Sequence, residues 1–184
     1  MERLPTRLDG PVLLQPAVHG DDRGFFAETY RASALAAAGI HDEFVQDNHS
    51  RSGYGVIRGM HFQVAPPAAK LVRCARGAVT DVVVDIRAGS PTYGQWEAFE
   101  LSDESLRVLY VPAGFAHGFA VRSEVADVIY KQSAEWSPEG DRGFAPHDPD
   151  VGIEWPIPEA DRVLSPRDRA APRLADIEAQ LAPG

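Results

Sequence analysis

The chain has 184 residues, a length that suits one domain and excludes two independent catalytic units. At 44% hydrophobic and 24% charged residues it has ordinary globular composition, which excludes disorder over most of its length. Its formal net charge of −9 excludes a basic surface for non-specific duplex binding, so no nucleic-acid partner is expected, although a few cations can still converge on one anion pocket. Alternating apolar and polar side chains predict about ten strands, over residues 11–19, 24–30, 43–50, 55–63, 69–75, 78–87, 95–102, 106–111, 115–121 and 126–133. Two stretches read as helical: residues 31–38, Ala-rich and stopped by Gly39, and residues 174–181, with Leu174, Ile177 and Leu181 on one face. Short strands separated by Gly and Pro turns predict an antiparallel sandwich or barrel. The Pro- and Ala-rich tail is expected to wrap it, giving one domain over residues 1–184. Cys74 is the single cysteine, so neither an intrachain disulfide nor a Cys-rich zinc site can form, and a reducing, cytoplasmic home is expected. The N-terminal residues lack an apolar signal region, and no window approaches the ~18 apolar residues of a membrane span, so no membrane association is expected.

The segment Gly55-Val-Ile-Arg-Gly-Met-His61-Phe-Gln63, followed by Lys70 and later by Pro112-Ala-Gly114-Phe-Ala-His117, resembles the two motifs of cupin jelly rolls. Metal-binding cupins present His-x-His and then Glu from the first motif, and a His after Pro-x-Gly from the second. Here His61 and His117 stand at two of those positions, while Gln63 and Lys70 replace the other ligands. A lysine beside the site repels a divalent ion rather than donating to it. The pocket is therefore expected to persist without a metal; a metal-dependent cupin oxygenase is the remote alternative.

A histidine and a lysine in the mouth of a barrel suit proton abstraction beside a carbonyl. Such a carbon acid is weaker than imidazolium by roughly ten pKa units, on the order of 14 kcal/mol. A positioned general base supplies about 10²–10⁴-fold, so donors aimed at the enolate oxygen must do most of the stabilising. Lys70 is the candidate donor, with His117 a further polar group on the site. Epimerisation also needs a proton returned on the opposite face, and the Tyr130 phenol can supply one, although a core or rim aromatic is the simpler reading of that residue.

Asp22-Arg-Gly-Phe-Phe-Ala-Glu28, Phe44-Val-Gln-Asp-Asn-His-Ser50, residues 55–63, Asp81-Val-Val-Val-Asp-Ile-Arg87, Gly89-Ser-Pro-Thr-Tyr-Gly94, Gly114-Phe-Ala-His-Gly118, Asp148-Pro149 and Leu164-Ser-Pro-Arg-Asp168 together resemble the dTDP-4-dehydrorhamnose 3,5-epimerase family. The matches run in order from about residue 9 to 173. The resemblance implies an all-β cupin jelly roll, an antiparallel β-sandwich or barrel with short peripheral helices. It implies a homodimer acting without cofactor on dTDP-4-dehydro-6-deoxy-D-glucose, a nucleotide-linked 4-keto-6-deoxy sugar. By the same resemblance His61 is the base, Asp168 the carboxylate that orients it, Lys70 the lysine near the keto oxygen and Tyr130 the acid on the opposite face. Arg23, Phe26, Glu28, Gln46, Asn48 and Arg58 match positions that hold the nucleotide or sugar, some across the dimer interface. His117 counts as substrate-binding, and Trp136 replaces a tyrosine that stacks on the base. Pro146 and His147 depart from the family pattern before Asp148-Pro149.

Two expectations about geometry follow. Arg58 and His61 lie three apart, so a regular strand would point them to opposite faces; a bulge near Gly59 is needed to bring both into the pocket. Asp81 and Asp85 share a face, and structural hydrogen bonding is the expected role for both. Cys74 reads as a small buried hydrophobe. Epimerisation at C3 or C5 alone, or non-catalytic sugar binding, are the neighbouring readings.

Overall fold

The computed structural model describes residues 1–181; the last three residues of the expected domain lie outside that range. Its strands are β1 (Glu2–Leu4), β2 (Val12–Gln15), β3 (Val18–Asp21), β4 (Gly24–Ala27), β5 (Gln46–Gly53), β6 (Ile57–Gln63), β7 (Lys70–Arg76), β8 (Ala78–Asp85), β9 (Trp96–Ser102), β10 (Val108–Val111), β11 (Phe115–Val121), β12 (Val125–Gln132) and β13 (Asp141–Gly143). Two short helices, α1 (Ala32–Ala37) and α2 (Pro166–Arg169), lie at the periphery. One sheet runs β1-β2-β10-β7-β12-β5 and the other β13-β6-β11-β8-β9, while β3 and β4 form a separate hairpin arm. The neighbouring strands pair antiparallel.

The expected strands are present, with the first run divided in two by Pro16-Ala17, because proline cannot donate to a ladder. The two added strands, β1 and β13, are three residues each, too short for a period-2 pattern to register. The expected second helix is a 3₁₀ segment, Ala175–Gln180. Ile177 and the flanking Leu174 and Leu181 are buried, packed with Trp155 and Ile157 on the outer face of the five-stranded sheet. That outer cover explains the unbroken apolar run of β8. Val79 and Val83 face the core between the sheets, while Val82 and Val84 face the tail. The other sheet is covered outside by Leu35 of α1 and by Ile40, over Leu14, Leu71 and Val108.

At the end of this sandwich where Lys70, Tyr130 and His61 point inward, the packed core gives way to a cavity of about 480 Å³. Polar residues can be tolerated there because the sheets, tied elsewhere by Val72, Leu109, Val121 and their neighbours, need no apolar contact at that end.

Candidate active site

The predicted bulge is present. His61 lies opposite His117, but Arg58 lies opposite Phe119, so β6 carries one more residue than β11 across this stretch. Ile57, Met60 and Phe62 consequently face outward into the tail-covered core, and Arg58 and His61 both line the cavity. Two glycines make the crossing. Gly59 has φ +140, and a Cβ there would meet the Gly118 Cα at 2.6 Å; a Cβ on Gly118 would meet the Arg58 carbonyl oxygen at 2.8 Å.

Asp168 reaches His61 from the far end of the chain. Ile57 donates its N–H to the Val163 carbonyl at 2.9 Å, and Val163 donates to Gly55 at 3.0 Å, pinning the tail to the start of β6. One turn later α2 begins, capped by Ser165, whose hydroxyl accepts the Asp168 N–H at 3.0 Å. The Asp168 carboxylate then meets His61 Nε2 at 2.7 Å. Burial alone would raise this carboxyl, but hydrogen bonds from His61, Ser165 and the Gly59 backbone hold it below its ordinary range. With Nε2 engaged by a carboxylate, Nδ1 is the nitrogen left as an acceptor.

Lys70 and Tyr130 enter the same cavity from β7 and β12. Lys70 Nζ donates to the His61 carbonyl at 3.2 Å. Burial lowers its pKa to about 8, against the pull of Asp81 and Asp141. Burial raises the Tyr130 phenol, with Arg58 opposing and Asp141 adding to the rise. His117, 6% exposed, faces Asp81 with Nε2 2.9 Å from both carboxylate oxygens. Burial lowers its pKa, Asp81 opposes, and Lys70 and His61 push it further down.

Gln63, the other residue at a cupin ligand position, does not line the cavity. Its amide nitrogen donates to the Pro66 and Glu135 carbonyls, and its oxygen accepts the Ser137 N–H at 2.9 Å. Gln63 thus anchors the loop after β12 instead of contributing to the cavity. Both aspartates serve in structural hydrogen bonding as expected: Asp85 is bound by Arg87, Ser90 and Thr92, and Asp81 holds His117. Cys74 is buried, and its pKa is pushed up to about 11.

The remaining predicted binding residues fall into two groups. Gln46 and Asn48 share a face of β5 with the cavity residue Ser50. Gln46 donates to Asn48 Oδ1 at 3.0 Å and accepts the Trp136 N–H at 2.8 Å. The Trp136 side chain stands exposed at the end of this row. Asn48 Nδ2 is buried and has no partner among the described residues. Arg23, Phe26 and Glu28, in contrast, lie outside the chain's own cavity. Arg23 and Phe26 sit on the β3–β4 arm, where Arg23 pairs with Asp21 and Phe26 is 70% exposed; Glu28 pairs with Arg31 just after it.

Sequence reasoning missed Arg167, which lines the cavity and pairs with Asp141 at 2.6 Å, and Ser52, which accepts a hydrogen bond from Arg58. Arg167 adjoins Asp168 in the Leu-Ser-Pro-Arg-Asp motif, and that adjacency was its available signal. The loop with the atypical Pro146 and His147 remains anchored, with Asp148 accepting the Leu174 N–H at 2.8 Å.

His61, Asp168, Lys70 and Tyr130, the four residues that the family resemblance named, line one cavity, and the sequence profile described as dTDP-4-dehydrorhamnose 3,5-epimerase matches residues 5–176. The chain belongs to this family. It is 49% identical over 176 residues to the dTDP-4-dehydrorhamnose 3,5-epimerase of Pseudomonas aeruginosa, covering 94% of this chain and 97% of that one. Among solved structures it superposes with a TM-score of 0.95 on the dTDP-6-deoxy-D-glucose-3,5-epimerase of Legionella pneumophila in complex with dTDP-4-keto-L-rhamnose, at 45% identity and with 99% and 97% of the two chains covered. It also resembles ChmJ, a 3′-monoepimerase of Streptomyces bikiniensis in complex with dTDP-quinovose, at TM-score 0.89 and 37% identity, over 96% and 89% of the chains. The fold is the cupin-like sandwich of these epimerases, and the chain is a member of a family of sugar isomerases.

Proposed function

We propose that this protein is a dTDP-4-dehydrorhamnose 3,5-epimerase, converting dTDP-4-dehydro-6-deoxy-D-glucose to dTDP-4-dehydro-L-rhamnose without a cofactor, as one catalytic domain in the cytoplasm. The observation that carries the reading is the 2.7 Å contact between His61 and Asp168 at the wall of a cavity that Lys70 and Tyr130 also line.

In this reading the proton at C3 or C5, acidified by the C4 ketone, passes to the free nitrogen of His61. Asp168 fixes the imidazole and stabilises the imidazolium that forms. Lys70 donates to the oxygen as it becomes an enolate, a contact worth several kcal/mol once bound substrate excludes water. Tyr130 then returns a proton to the opposite face at C5, so C5 inversion depends on it more than the initial exchange at C3 does. Gln46, Asn48, Arg58, His117 and Trp136 hold the rest of the nucleotide sugar, and Asn48 Nδ2, without a partner among the described residues, supports a polar ligand group at that point.

The exposed Phe25 and Phe26 of the arm support a homodimer in which Arg23, Phe26 and Glu28 complete the nucleotide site of the second copy. Mixing His61→Ala and Arg23→Ala subunits tests this: each homodimer is impaired, and an exchanged arm predicts recovered activity from the one intact site of the heterodimer. No recovery would place the arm elsewhere.

Proton NMR of the substrate with catalytic protein in D₂O tests the reaction. Deuterium at both C3 and C5, with the L-lyxo product trapped by a reductase, is expected. Exchange at C3 alone would favour the second reading, a single-site epimerase, to which the likeness to the 3′-monoepimerase points. No exchange at either carbon would refute both.

A further inference from the structure

Ser52 is 7% exposed, on the same face of β5 as the cavity residue Ser50. Its hydroxyl accepts the Nε–H of Arg58 at 3.0 Å. Ser52 belongs to one sheet and Arg58 to the other, so the bond is a strut across the mouth of the sandwich. An arginine at an exposed position has about 2 kcal/mol of rotamer entropy, and Nε is the atom whose anchoring fixes the plane of the guanidinium while leaving its terminal N–H groups free. The cavity wall those groups reach holds Tyr130. From other elements the phenol faces Arg58 on β6 and Asp141 on β13. Lys70, His61 and His117 line the same cavity, as do Arg167 and Asp168 of α2. Arg58 is the group that favours loss of the phenolic proton, whereas burial and Asp141 oppose it.

We infer that Ser52 is a positioning residue for the second proton transfer: by pinning Arg58 across the mouth it keeps a cation beside the Tyr130 oxygen as that oxygen gives up its proton. This rests on the epimerase reading of Tyr130. In the step, the Tyr130 O–H bond breaks and its electron pair stays on oxygen as phenolate. The proton forms a C–H bond with the enolate carbon, using the C=C pair, and the C4 carbonyl is restored. Water reprotonates the phenolate after product leaves.

Spectrophotometric tyrosinate titration of the ligand-free protein tests the strut, with Tyr130→Phe as the blank that isolates one phenol among the five tyrosines. In Ser52→Ala the Tyr130 titration is expected to move up by about half a pH unit, because an exposed cation is partly screened. Ser52→Thr, which keeps the hydroxyl, returns it towards wild type. Arg58→Gln, which removes the cation and leaves Ser52, gives the larger upward move and stands in should Ser52→Ala fail to fold. With substrate in D₂O, Ser52→Ala is expected to lower C5 inversion relative to C3 exchange by about threefold, the factor that half a unit represents. A titration unchanged in folded Ser52→Ala, or one that moves with no change in the C5-to-C3 ratio, overturns the inference. A wild-type protein that exchanges neither ring proton, while the Ser52→Ala titration still moves, supports the strut and overturns the epimerase reading instead.

Discussion

Replacing Lys70 by methionine separates what the lysine does for chemistry from what it costs the fold. Burial drags its pKa from 10.5 to about 8, a difference worth about 3 kcal/mol of native-state destabilisation at neutral pH, at about 1.36 kcal/mol per unit. The hydrogen bond from Nζ to the His61 carbonyl offsets about 1 kcal/mol of this. Methionine has similar length and no charge, so Lys70→Met should be more stable than wild type by about 2 kcal/mol at pH 7, or about 4–8 °C in Tm for a chain of this size. The sign of the pH dependence is fixed. Between about 8 and 10.5 the unfolded chain binds a proton that the native state has lost, so wild-type stability gains on the variant as pH rises through this window. Urea unfolding at pH 7, 8, 9 and 10 should show the advantage of Lys70→Met shrinking nearly to zero at the top of the range. The variant should lose about 10²–10³-fold in kcat, with KM little changed, as expected for a donor used in the transition state. A stability gap independent of pH would refute the argument that the charge of Lys70 is what destabilises the native state.

Four further outcomes follow from the geometry. His61→Ala should abolish deuterium exchange at both C3 and C5 while leaving nucleotide affinity, measured by calorimetry, within a few-fold; normal turnover would remove it as the base. Asp168→Asn should stay folded by circular dichroism and lose about 10²–10⁴-fold in kcat. Because hydrogen bonds hold Asp168 below the ordinary carboxylate range, its contribution to wild-type stability is present above that range and is lost as pH falls from it to the lower native value; in Asp168→Asn this segment of the acid unfolding curve should flatten. Gly118→Ala places a Cβ 2.7 Å from Met60 Sδ and 2.8 Å from the Arg58 carbonyl oxygen. It should cost about 1–3 kcal/mol of stability in thermal unfolding and lower kcat, because relief requires β6 to move away from β11. Cys74, buried and raised to about 11, should resist a thiol-reactive disulfide at pH 8 and react fully once the chain is unfolded in urea; rapid labelling of the native protein would refute its burial.

The strands that build both sheets were legible because each carries a period of two or an apolar run of β-branched residues, and the turns between them carry glycine or proline. Much of the cavity was legible for a similar reason: His61 and Lys70 sit at fixed offsets inside a cupin motif, and parity of the intervening strand demanded a bulge at Gly59, which the register shift between β6 and β11 supplies. Asp168 was legible only through family resemblance. It is 107 positions from His61, and no local pattern distinguishes a carboxylate that a tail delivers to a barrel from one that faces water. Ser52, Arg167 and the support of His117 by Asp81 had weaker signals still, since each acquires its role from a side chain on another strand or helix. The arm is the converse case: the resemblance assigned its residues to nucleotide binding, yet the fold holds them outside the chain's own cavity. The sequence by itself determined the β architecture, the bulge and the residue types available for proton transfer, because those follow from periodicity and side-chain chemistry within a few residues. Only the tertiary structure decided which carboxylate meets which histidine and which polar side chains are consumed as scaffolding, because both depend on contacts between segments far apart in the chain.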